Sequence, residues 1–173
     1  MSDDTIPLEE QEPVRRFVAL AGHFCTLLET HESYDEHGFI REASRLLGEL
    51  YGAVWGLGSF VPDEECDAPD PDIDHSTLLQ AIAGFHEKLV HPAGWYTFAS
   101  RDQEGHTQDL AVGWIVDDFR TIYSDLKEGL LRFESGIEGA GAEAVCDWWF
   151  GIGIWGRHVL GALRALHYMY WAW

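Results

Sequence analysis

A chain of 173 residues is one domain long and long enough to enclose a sizeable core. Its 11 Lys and Arg stand against 30 Asp and Glu, a formal net charge of −19, and 13% of its residues are aromatic. A field of that sign repels phosphate backbones and anionic lipids, so nucleic acid and membrane surfaces are not expected as partners, while basic proteins, cations and neutral ligands stay open.

The opening Met1-Ser2-Asp3-Asp4-Thr5 lacks the basic and apolar regions of a secretory signal. The run Trp148 to Gly156 is charge-free, but it is far shorter than the ~20 apolar residues of a membrane span. Cys25, Cys66 and Cys146 form no CxxC pair, and an odd count suits a reducing cytoplasm. A cytoplasmic protein is therefore expected.

Residues 1–12 are polar and acidic and read as a loose tail, followed by one domain over 13–173. Pro13 opens a first helix in which Val14, Phe17, Val18, Ala21, Phe24, Cys25 and Leu28 recur at the spacing of one buried face, ending near Thr30 or His31. Cys25 lies on that stripe and reads as a small core residue. Ser33 and Glu36 resemble a capping box for a second helix carrying Phe39, Ile40, Ala43, Leu46, Leu47, Leu50, Tyr51 and Val54, stopped by Gly56, Gly58 and Pro62. Residues 62–75, with seven carboxylates and three prolines, form an acidic loop.

A third helix is expected from about Ser76 to Val90, with Leu78, Ile82, Phe85 and Leu89 inward. Residues 95–106 read as a connection in which Trp95-Tyr96-Thr97-Phe98 is a short extended piece. A fourth helix spans about 108–133, with Ile115, Phe119, Ile122, Leu126, Leu130 and Phe133 as its stripe. After a turn marked by Gly136, Gly139 and Gly141, a fifth helix spans about 142–170, with Val145, Trp148, Trp149, Ile152, Gly156, Val159, Leu160, Leu163, Leu166 and Tyr170 on one face. The fold class is all-α: a bundle of about five main helices with a long antiparallel C-terminal hairpin.

Several common chemistries lack their spacing here. No Glu has a His three residues on, as a di-metal bundle needs, and the zinc-protease pattern His-Glu-x-x-His is absent. His158 and His167 are nine apart, on opposite sides of helix five. Asp70, Asp72 and Asp74 alternate as in a calcium loop, but the required Gly and Glu positions are occupied by His75 and Ala81. No metal and no cofactor is expected. Gly151-Ile152-Gly153-Ile154-Trp155-Gly156 sits inside a helical pattern with no strand before it, so it reads as a place where Gly admits the Trp side chains of a neighbouring helix rather than as a phosphate cradle.

One constellation stands out. Asp118 and Asp125 are seven residues apart on helix four, and Arg157 and Arg164 are seven apart on helix five. In an antiparallel hairpin one register would pair Asp118 with Arg164 and Asp125 with Arg157. Two half-buried salt bridges fixing the hairpin are the plainer reading. The functional reading is a polar cluster at the lip of a pocket, completed by Tyr123 and His167, in which the Arg forks receive a carboxylate or phosphate. The aromatic end of the chain, with Tyr168, Tyr170, Trp171 and Trp173, either folds back on the core edge or marks a surface for a protein partner or a second copy.

The pattern Asp118-Phe119-Arg120-Thr121-Ile122-Tyr123-Ser124-Asp125-Leu126-Lys127, with Trp155-Gly156-Arg157-His158 and Ala162-Leu163-Arg164-Ala165-Leu166-His167, resembles the bacterial family of domain of unknown function 5063. The likeness spans about residues 13–170. It implies a cytosolic helical bacterial protein and supplies no activity, cofactor or catalytic residue. The leading expectation is a non-enzymatic interaction or regulatory protein. The alternative is an anion-binding or enzymatic bundle using the interhelical Asp, Arg, Tyr and His cluster. A metal-dependent helical enzyme is a third reading.

Overall fold

The computed structural model describes residues 7–61, 73–89, 94–101 and 107–171. Five α-helices dominate: α1 (Glu12–Glu29), α2 (Glu36–Ala53), α3 (His75–Ala81), α4 (Ile115–Glu134) and α5 (Ala140–Trp171). Helices α1, α2, α5 and α4 pack in a ring, each against the next, around one apolar core, and α4 and α5 form the most extensive of these interfaces. The core is aromatic at its centre: Phe24, Phe39 and Phe85 all lie with ring centroids about 6 Å from Phe119. Helical periodicity alone identifies most of it, because the stripe of α4 from Ile115 to Leu130 is buried, as are those of α1 and α2 apart from the partly buried Val18 and Tyr51.

The ends of the elements depart from expectation for local reasons. Leu8–Glu10 form a 3-10 turn, with Leu8 packed on the core, inside the stretch read as a loose tail. Helix α2 is capped by Asp35, whose side chain accepts a hydrogen bond from Gly38 N at 2.6 Å, rather than by the Ser33–Glu36 box. Most of the acidic loop lies outside the described residues. At its end, Asp74 accepts from Ser76 N, Ser76 Oγ and Thr77 Oγ1, so this carboxylate caps α3.

The expected third helix is broken. Helix α3 ends at Ala81, and a separate 3-10 segment covers Phe85–Leu89. Gly84 lies between them at φ 90°, a left-handed conformation that glycine adopts at little steric cost and that no helix continues through. The inward residues Leu78, Ile82, Phe85 and Leu89 are still buried.

A larger correction concerns the start of the fourth helix. Residues 108–114 belong to strand β2 (Thr107–Trp114), which pairs antiparallel with β1 (Trp95–Arg101). The extended piece at Trp95–Phe98 was thus the first half of a hairpin. The expected apolar stripe of α4 begins only at Ile115, so nothing in the pattern required 108–114 to be helical. Helix α5 is rotated from the expected face: Leu160 and Tyr170 are exposed, and Trp155, Ala162, Ala165 and Met169 are buried instead. Glycine does admit a tryptophan between helices, but the glycine is Gly129 of α4, where a Cβ would overlap the Trp148 indole.

Candidate functional site

The hairpin lies against the outer side of α4 and α5, and its attachment is built around one tyrosine. Tyr96 pairs with Gly113 in the strand register. A Cβ on Gly113 would collide with the Tyr96 ring, and a Cβ on Gly161 of α5 would collide with its hydroxyl. Two glycines, one in a strand and one in a helix, therefore leave the slot through which the phenol reaches the helices. There Tyr96 donates to Asp118 Oδ2 at 2.6 Å.

Asp118 is 3% exposed. Its other oxygen, Oδ1, lies 2.7 Å from His158 Nδ1 on α5. A carboxylate can only accept, so a neutral imidazole here carries its proton on Nδ1 and its lone pair on Nε2. Asp118 lies in the first turn of α4, where the helix dipole favours negative charge. Burial nevertheless pushes its pKa above the ordinary value, against the two hydrogen bonds that favour the charged form. Burial, followed by the bond to Asp118, raises the Tyr96 phenol, so Tyr96 stays a donor.

This Tyr96–Asp118–His158 chain sits in the wall of a cleft of about 660 Å³ between the hairpin and α5. Arg157 and Arg164 line the same cleft, separated by about two helical turns, or roughly 10 Å of rise. Arg164 Nη1 approaches Thr97 O at 3.4 Å. Val112, Trp114 and Leu160 supply an apolar wall, and Val112 and Leu160 are 63% and 50% exposed. Asp117 stands at the cleft beside Asp118. The arrangement offers two guanidinium forks for an anionic head, an apolar surface for a body, and an oriented imidazole.

Of the six residues expected to cluster, this cleft brings together Asp118, Arg157 and Arg164. The expected ion pairs are not formed: the partner of Asp118 on α5 is His158, six residues before Arg164, because the hairpin adopts another register. That register is held by Arg132 of α4, which binds Asp147 and lies 3.8 Å from Glu143 on α5 and 3.7 Å from Glu128 on its own helix. Asp125 lines a separate groove with Glu128, Arg132 and Asp147. Tyr123 is fully buried and donates to Glu29 Oε1 at 2.8 Å; the same oxygen binds Lys127 Nζ at 2.8 Å, which ties α1 to α4. His167 is exposed and borders a shallow groove with Arg41, Tyr170 and Trp171. Tyr168, Tyr170 and Trp171 are exposed, and Trp173 lies outside the described residues. Among the described residues, no three His, Cys, Asp or Glu side chains converge as a metal site requires.

Sequence reasoning missed Tyr96 and His158. Tyr96 lay in a segment read as connection, and the Tyr-x-Phe alternation there was its only signal. His158 was weighed only against His167, although its neighbour Arg157 was already a candidate.

The raised aspartates carry a pH signature. Asp118 and Asp125 are both shifted up, chiefly by burial, so their contribution to stability is present below the ordinary value of 3.8 and is lost as pH rises through the folded value. Self-repulsion of a chain at −19 acts in the same direction. In the same salt, the melting temperature is expected to fall as pH is raised from below the ordinary value through the folded value, and a rise across that window would contradict the assignment of burial as the dominant cause.

Over residues 9–172 the chain matches a family described as a domain of unknown function, DUF5063. The chain belongs to the DUF5063 family. No curated protein matches it. Among solved structures this DUF5063 chain is similar to protein BF1032 from Bacteroides fragilis, with 21% identity and a TM-score of 0.68 over 96% of this chain and 97% of that one. At that identity the likeness establishes the shared fold. No helix among the described residues of this DUF5063 chain is long and apolar enough to cross a membrane.

Proposed function

We propose that the cleft between the β-hairpin and α5 binds a small organic anion, a carboxylate or phosphate head on an apolar body, in the cytoplasm of a bacterium. The observation that carries this reading is the convergence of Arg157 and Arg164 on a cleft whose wall holds the buried Asp118, fixed by Tyr96 and His158. In a chain with 11 basic residues against 30 acidic ones, a cleft where Arg157 and Arg164 balance Asp117 and Asp118 is less acidic than the chain as a whole. The exposed Val112 and Leu160 beside them favour a ligand with an apolar part that covers them. Convergent polar groups in a concave site favour ligand binding over the interaction-protein reading.

The test is a thermal-shift titration with phenyl phosphate and with benzoate. A bound ligand stabilises the native state by RT ln(1 + [L]/Kd), so a concentration-dependent rise in melting temperature is expected for the wild type. The rise is expected to vanish in Arg157→Gln/Arg164→Gln. The probe with the larger shift identifies the head group. No shift with either compound, or equal shifts in the variant, would remove this reading.

A further inference from the structure

The lining of the cleft goes beyond what holding an anion requires. Two arginines suffice for charge, yet a buried carboxylate is placed behind an imidazole and is itself pinned from the other side. Asp118 has both oxygens engaged, Oδ2 by Tyr96 and Oδ1 by His158. The carboxylate therefore cannot swing away, and the imidazole ring it holds is fixed in tautomer and direction. Nδ1 of His158 is spent on Asp118, while the side chain is 32% exposed and lines the cleft. In the neutral imidazole Nε2 keeps its lone pair.

We propose that His158 is a general base, oriented by Asp118, which takes a proton from carbon in an anion held by Arg157 and Arg164. The inference rests on the anion-binding reading above. The substrate class is a small keto acid or keto phosphate bearing a proton on the carbon beside its carbonyl. In the step, the proton passes to His158 Nε2, the C–H electron pair moves into the bond toward the carbonyl, and the carbonyl oxygen becomes an enolate. The adjacent guanidinium groups stabilise that enolate, and Asp118 stabilises the imidazolium. Protonation of the same carbon by water on the opposite face, with release of the imidazolium proton to water, completes an inversion at that carbon with no net gain or loss of atoms or electrons. The described residues lining the cleft include no Ser, Thr or Cys, which accords with proton transfer rather than a hydroxyl or thiol nucleophile.

A general base can be read without knowing the substrate. With 5-nitrobenzisoxazole as the probe, Nε2 removes the single ring C–H proton, the N–O bond breaks, and a coloured cyanonitrophenolate is released. The full-length wild type is expected to release it above the buffer rate, with inhibition by whichever of phenyl phosphate and benzoate binds. His158→Gln is expected to lower kcat/KM by about 100-fold or more, in the range a positioned base supplies, while retaining the thermal shift with the anion. Asp118 is a positioning residue, and its readout is spectroscopic: nitrogen NMR of the wild type is expected to show His158 protonated at Nδ1, and Asp118→Asn is expected to move protonation toward Nε2. This measurement on the wild type stands even if His158→Gln fails to fold. A release rate independent of His158, or a wild-type His158 protonated at Nε2, overturns the general-base proposal while leaving anion binding intact. Loss of the thermal shift in the wild type itself would overturn both.

Discussion

Gly129→Ala is expected to destabilise the protein by about 2–3 kcal/mol, although alanine is the better helix former by ~1 kcal/mol. Gly129 is buried on α4, and a Cβ there would overlap the indole of Trp148 on α5, near Nε1 and Cε2. The indole is held by aromatic neighbours on either side. Trp148 is 1% exposed, its ring lies 5.0 Å from Phe17 and 6.0 Å from Phe133, and its carbonyl accepts from Trp155 Nε1. Overpacking at such a site forces the two helices apart or the ring off its rotamer. A drop in melting temperature of roughly 5–10 °C should accompany the change for a chain of this size. The cause can be isolated by a double-mutant cycle. Trp148→Leu removes the indole that fills the notch, so the double variant should cost less than the sum of the two single changes by about 1 kcal/mol or more. Simple additivity would show that the close helix approach is not what makes Gly129 necessary.

Arg132→Met is expected to cost about 2–4 kcal/mol at neutral pH. Arg132 is 8% exposed and stands among Glu128, Glu143 and Asp147. Removing one partner from a buried ionic cluster typically costs ~3–5 kcal/mol, because the remaining charges are left uncompensated. The figure is lower here because the Asp147 side chain is 53% exposed and keeps much of its hydration. Methionine preserves most of the aliphatic stem, so the loss reports on charge rather than on packing. Urea unfolding provides the measurement, and Arg132→Met combined with Glu143→Gln and Asp147→Asn should recover part of the loss. A cost below about 1 kcal/mol would show that the cluster does not hold the register of α4 against α5.

The hairpin of α4 and α5 shows how far the sequence could be read. Periodicity is a local property, and it identified the buried faces of α1, α2 and α4 because 3.6-residue spacing survives any arrangement of neighbours. The register between α4 and α5 is a global property. Pairing Asp118 with Arg164 was one of several alignments compatible with the loop, and the choice among them depended on the fit of Trp148 over Gly129 and on Arg132 facing Asp147. The same displacement brought His158 to Asp118 and left Tyr123 and His167 elsewhere. Tyr96 was illegible for another reason: a seven-residue strand has too few alternations to show which of its side chains meets a helix. Gly84 was the one clear local signal passed over, a stop inside an otherwise good apolar run.

Tyr96, Gly113 and Gly161 form a lock with three parts on three elements, β1, β2 and α5. Each glycine is bare only because the phenol needs the space, and the phenol reaches Asp118 only because both glycines are bare. Random drift can therefore not test these positions singly: a side chain at either glycine expels the ring, and a smaller residue at 96 releases both glycines from constraint. Across descendants of this sequence the three positions should be inherited as a block, kept together or lost together, and the block travels with the histidine whose orientation it secures.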